Sequence, residues 1–472
     1  MTVTQQVAGG PQLGFKEPPG EVEVADLPLA GELPSWLTGS LVRVTPAKWD
    51  AGDTTLRHWF DGLAMLHGFA IEDGRVSYAN KWLRSKQFQA VERDGKIAYA
   101  EFATDPCRSI FKRLTTLFDP VSAFTDNGVV NVAKLGDEYM ALTETPLPVA
   151  FDGDTLQTLG VTDWAGDIPG AVTTAHPHGD GGELINYAAH LGPVNKYRIY
   201  TQAPGGKPNV AAEMKVRKPA YVHSFGLTER FYVFAEYPFV VDPLRLATMR
   251  RPYIENFEFE PERGTKFHLF DRADGELRGT FDAPPGFAFH FVNCFDDGDA
   301  VVADVCVYED PSIIDAFYMD RIGTRSGLGS PPLLIRYRLD LASGDCTHEQ
   351  VTDIPFELPR IDYGRRNGRP YRYAYGISSN DPGSWPNVLA KVDVGDGSFD
   401  LWHEPGCYPS EPVFVRDPEG TAEDDGVALS VVLDSATGRS FMLVLDARTW
   451  QERARAEAPQ HVPFGFHGSF FR

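Results

Sequence analysis

Of the chain's twelve histidines, four stand in settings unlike the rest: His176 in TTAHPHGD, His223 in YVHSFGLTE, His290 in FHFVNCFDD and His467 in FGFHGSF. Three of them have Phe or Val neighbours at strand-like positions. They are dozens of residues apart or more, so no local zinc motif joins them. Only a fold that returns the chain repeatedly to one axis could bring them together. Neutral imidazoles suit iron, copper, zinc or nickel. A site of histidines alone would leave the metal its full charge, and a six-coordinate ion would keep two positions open. Dioxygen chemistry on an apolar substrate fits such a site. Ligating histidines normally donate their second N–H to a carboxylate. Glu144 in ALTETP, Glu357 in PFELPRID and Glu411 in YPSEPVF lie in apolar or Pro-bounded surroundings. There a partner imidazole would offset the cost of burying a carboxylate.

Rival patterns are weaker. His178-Gly179-Asp180 with His223 mimics the H-x-D…H triad of non-haem iron oxygenases, and His176-Pro177-His178 mimics a cupin H-x-H. Both leave His290 and His467 without a part. HWFDG at 58–62, with His67 downstream, looks ligand-like but reads as a strand and turn. The chain has no nucleophile elbow G-x-S-x-G, no Walker P-loop and no GxGxxG opening a helix, so hydrolase, nucleotide-binding and dehydrogenase readings lack residues.

The elements that must position these side chains are strands. Short apolar runs such as RFYVFAEY (230–237), AVVADVCVY (300–308), GVALSVVLD (426–434) and SFMLVLDA (440–447) are bounded by Gly, Asp, Pro and Asn, which predicts an all-β fold. The 45 Gly and 36 Pro supply its turns. After a polar leader at 1–15, no Pro/Ser-rich linker or like-charge block divides 16–472, so we read one domain. Many short antiparallel strands over this length favour a propeller. No blade signature recurs at fixed period, and a sandwich pair is the alternative.

Composition narrows the partners. At 42% hydrophobic, 12% aromatic and 23% charged the chain is that of an ordered globular protein. Its net charge of −22 would repel a phosphate backbone. Five widely spaced cysteines, with no C-x-x-C, suggest neither a disulfide framework nor a zinc knuckle and fit a reducing cytoplasm. The start of the chain shows neither the basic nor the apolar region of an export signal, and no run of uncharged apolar residues is long enough to span a membrane. In PCRSIFKRLTTLF (106–118), Ile110, Phe111, Leu114, Leu117 and Phe118 form one face of a predicted helix, with Arg108, Lys112 and Arg113 off that stripe. Such a helix either packs on its own core or dips into a lipid surface.

The ordered motifs HWFDGLAMLHGF, ALTETP, TAHPH, HSFGLTE, FHFVNCFDD, ELPRIDY with RPYRYAYG, YPSEPVFV, EDDG and FHG resemble, nearly end to end, the carotenoid cleavage oxygenase family. HSFGLTE, DPCRSIF, RPYRYAYG and YPSEP are most similar to the branch of animal β-carotene oxygenases and the retinoid isomerohydrolase. The resemblance implies a seven-bladed propeller with a helical dome, and Fe(II) on His176, His223, His290 and His467. It implies that Glu144, Glu357 and Glu411 support His223, His290 and His467 in that order, with His178 a neighbour and not a ligand. It implies cleavage of a polyene C=C bond by O₂ to carbonyl products, most simply β-carotene at 15,15′ to retinal. Phe60, Phe102, Thr143, Phe225, Phe289 and Phe466 are the expected tunnel lining, and the stretch from 105 to 118 the expected membrane approach. Alternatives are an apocarotenoid or stilbene substrate, a non-oxidative isomerohydrolase, or a propeller that only binds. Stilbene-cleaving members carry a Lys where Thr143 stands, which counts against that substrate.

Overall fold

The computed structural model describes residues 10–52, 54–105, 124–248, 251–322, 328–381 and 383–472. Seven antiparallel sheets follow one another along the chain as the blades of a propeller. The fifth blade shows the plan: Phe287–Asp297, Ala300–Tyr308, Leu333–Asp340 and Cys346–Pro355 pair in sequence order. Middle strands such as Gly426–Asp434 are buried almost throughout and do not alternate. Packing against neighbouring blades on both faces explains why the sequence shows continuous apolar runs there.

Both ends of the chain close the ring. The C-terminal strand Gly468–Phe471 pairs with Gly39–Lys48 of the first blade, with Arg43 opposite Gly468. Near the other end, Leu29–Gly31 pairs with Glu452–Glu457 at the edge of the seventh blade. Closure in two adjacent blades removes the free edges that an open sheet would expose.

Connections between strands build a cover around a large aromatic cluster that includes Trp59, Phe60, Phe289 and Phe466. The helix Lys86–Asp94 is delimited by side chains: Ser85 accepts from the Phe88 amide, and Gly95 ends it in the left-handed region. Its Phe88 and Val91 join the cluster. HWFDG is a one-turn helix, Trp59–Asp61, capped by His58. Within residues 1–15, Gly10–Phe15 is a 3₁₀ helix that packs Phe15 edge-on against Trp385 and Phe464. Gly14 permits this, since a Cβ there would lie 2.2 Å from the Phe464 ring. Ile110, Phe111, Leu114, Leu117 and Phe118 lie outside the described residues.

Candidate metal centre

Four blades deliver one histidine each to the axis. His176 lies in the extended link between Val172–Thr173 and His178–Asp180, and His223 just before Gly226–Leu227. His467 abuts Gly468–Phe471. His290 sits within Phe287–Asp297, where pairing slips between Ala288 and Phe291. Consecutive strand residues normally point to opposite faces. The bulge re-aims the chain there, so Phe289 and His290 border the same cavity.

The four ligand nitrogens lie within 4.8 Å of one another. His176 Nε2 is 2.9 Å from His223 Nε2, and His290 Nε2 is 3.1 Å from His467 Nε2. Burial and the crowding of imidazoles push His176 well below the usual histidine range. Burial also lowers His223 against the pull of Glu144, and holds His467 at about 3 against the pull of Glu411. Neutral imidazoles whose Nε2 atoms converge fit a first-row divalent metal.

The Nδ1 atoms explain this orientation. His223 donates to Glu144 at 2.7 Å, His290 to Glu357 at 2.6 Å and His467 to Glu411 at 2.7 Å. Each bond places the proton on Nδ1 and leaves the Nε2 lone pair for the centre. The surroundings of the carboxylates differ. Glu144 also accepts from the Tyr221 hydroxyl at 2.6 Å. Glu411 is fully buried and takes Arg360 in a two-point bond at 2.8 and 3.1 Å, with Arg43 3.7 Å away. Burial alone would raise the Glu411 carboxyl, but Arg360, His467 and Arg43 hold it well below the usual carboxylate range. Arg360 reaches it because Leu358 takes φ +46° and strand pairing slips between Glu357 and Arg360. In a regular strand, residues three apart would face opposite ways.

An apolar cavity opens on the histidines, lined by Trp59, Phe60, Phe289, Phe317 and Phe466 beside His223, His290 and His467. Phe60 also borders a second pocket with Phe102, Thr143, Glu144 and Tyr253. Phe225 belongs to neither. It is buried between the third and fourth blades with its ring edge-on to His178, because it lies beyond His223 on the axial side. His178 is spent, one nitrogen on the Tyr363 hydroxyl and the other on the Phe225 carbonyl. Asp180 is paired with Arg272, which removes the H-x-D triad. His58 is spent on its cap and the Ile314 carbonyl, and His67 on Thr45 and Tyr78.

The sequence pattern of the family described as retinal pigment epithelial membrane protein matches residues 15–472. The chain belongs to this carotenoid oxygenase family. It is 34% identical to a carotenoid isomerooxygenase of Galleria mellonella, across 94% of this chain and 92% of that one. It is 33% identical to a β,β-carotene 15,15′-dioxygenase of Rattus norvegicus, across 94% and 88%. The solved structure of a cobalt-substituted Synechocystis apocarotenoid oxygenase superposes with a TM-score of 0.86 at 26% identity, covering 98% of each chain. Relatives in the family are dioxygenases that cleave carotenoids.

Within this carotenoid oxygenase, sequence reasoning passed over Arg43, Arg360, Tyr221, Trp59 and Phe317. Arg43 had a signal, an arginine inside the apolar strand run SLVRVTP, where a buried guanidinium demands a buried anion. Trp59 and Phe317 had none, since aromatics in connections look alike whatever they cover. Among the described residues no helix is long and apolar enough to cross a membrane.

Proposed function

We propose that the protein is an Fe(II)-dependent dioxygenase that cleaves a C=C bond of a carotenoid with O₂, most simply β-carotene at 15,15′ to retinal. One observation carries the reading: four imidazoles converge at the wall of an aromatic cavity. His176, His223, His290 and His467 would hold the ion, and bound iron would supply the activation of dioxygen. The protein's own part is placement. Glu144, Glu357 and Glu411 fix the imidazole protons on Nδ1. Trp59, Phe60, Phe289, Phe317 and Phe466 exclude water and grip a polyene through apolar contact, and holding one double bond beside the centre selects it among many similar ones. Phe102 and Thr143 extend this lining.

The cavity walls carry no Lys or Arg among the described residues, which favours a polyene over a phenolic stilbene. The three glutamates are occupied by imidazoles, which agrees with a reaction that needs no acid, base or protein nucleophile. Peripheral membrane contact through residues 106–118 rests on their apolar stripe and would let an insoluble substrate enter from lipid. The test is to incubate iron-loaded protein with β-carotene, apocarotenoids and a stilbene and weigh the products. Retinal from β-carotene is expected, and the absence of carbonyl products from every polyene would overturn the reading.

A further inference from the structure

The histidine centre has space on two sides. One is the aromatic cavity. The other is a passage along the propeller axis, and all seven blades contribute to its wall: Asn131, His178, Ser224, Asn293, Arg360 and Val413 from six of them and His467 from the first. His176, His290 and Glu411 border it at the inner end. Tyr363, 40% exposed, and Asn367 border both this passage and a polar surface cleft that contains Asp180, Glu183 and Arg272. Tyr363 and Asn367 therefore stand between polar solvent and the passage that reaches the imidazoles.

The two sides suit different cargo. A hydrated divalent cation entering among Trp59, Phe60, Phe289 and Phe466 would give up most of its water against a largely apolar wall, with only a few polar groups such as Ser378 and Ser410 in return, at a large cost. Along the axis, amide, hydroxyl and carbonyl oxygens can replace that water stepwise. Among the described residues the one positive charge on the wall is matched, since Arg360 pairs with Glu411. A strongly acidic protein also draws cations towards itself. Dioxygen and a polyene are apolar and need no such passage.

We propose that the axial passage is the route by which the metal ion reaches the four histidines, separate from the aromatic cavity that takes the substrate. The proposal rests on reading those histidines as a metal site, and the test separates the two claims. Protein stripped by chelation would be mixed with Co(II) alone, and uptake followed by visible absorption alongside an equilibrium titration. Val292 and Val413 border the passage in different blades, so Val292→Phe and Val413→Phe each narrow it independently. Both should slow uptake at least tenfold while still binding about one Co(II) per chain. Ile313→Trp, in the aromatic cavity, should load at the native rate. Native loading by both Phe variants, with slow loading by Ile313→Trp, would make the aromatic cavity the entrance and overturn the proposal. If native protein bound no Co(II), or His290→Ala bound it equally well, the metal reading itself would fail.

Discussion

The His223–Glu144 arm and the His467–Glu411 arm do the same job in opposite surroundings. Glu144 borders the apolar pocket with Phe102 and Thr143, and its helper is a neutral Tyr221 hydroxyl. Glu411 borders the polar axis, fully buried, clamped by Arg360 and close to Arg43. The second arm is also tied to ring closure: Glu411 accepts from the Gly468 amide, and Arg43 donates to the Phe466 and Glu411 carbonyls. An imidazole can thus be oriented either by a lightly supported carboxylate or by a charged network that also fastens the C-terminal strand. The first kind of arm should lose metal when damaged, and the second should lose metal and stability together.

The largest effect should fall on both arms equally. His223→Ala or His467→Ala should abolish product formation while circular dichroism stays native, and turnover surviving in either variant would remove that histidine from the centre. Next, Glu411→Gln should strand Arg43 and Arg360 without their anion. A buried charge left unpaired costs about 3–5 kcal/mol, so urea unfolding should show a marked drop. Glu144→Gln should leave unfolding nearly unchanged and weaken metal retention on the order of 10- to 100-fold, as should Glu357→Gln. Equal unfolding curves for the Glu411 and Glu144 variants would erase the distinction between the arms.

A smaller effect sharpens the role of Arg43, which also lies near His67. Burial, with Arg43 adding to it, holds His67 at about 3 against an ordinary 6.5. A histidine lowered on folding contributes stability that is complete above its unfolded pKa and is lost as pH falls towards the folded one. Denaturant midpoints of native protein should therefore fall between about pH 6.5 and pH 3, and less steeply in His67→Gln. Parallel slopes would contradict this. The smallest effect concerns substrate delivery. Phe111→Ser with Leu114→Ser should reduce sedimentation with liposomes while leaving turnover of detergent-presented substrate nearly intact, and undiminished liposome binding would return that stripe to the interior.

Much of the centre was legible because the chemistry restricts the residue types. Three histidines beside Phe or Val, a fourth in TTAHPHGD, and three glutamates beside prolines or strand ends stand out, although His58 and His67 share apolar surroundings and serve the packing instead. Strand runs were legible for a related reason: blades covered on both faces leave continuous apolar stretches such as Gly426–Asp434. Phe225 was not legible. Two residues after His223 it looked like cavity lining, yet the turn into Gly226–Leu227 sends it to the core behind His178.

By itself the sequence determined which groups could bind a metal, which could support them, and that strands would carry them, because these follow from side-chain chemistry and from local patterns of burial. Only the tertiary structure decided where those groups point. The slips at Ala288 and Glu357 turn His290, Phe289 and Arg360 to their tasks, and a register shift leaves no trace in composition. Ring closure by Gly468–Phe471 likewise joins Arg43 to Glu411 across most of the chain, a contact set by the circumference of the propeller and by no spacing along the backbone.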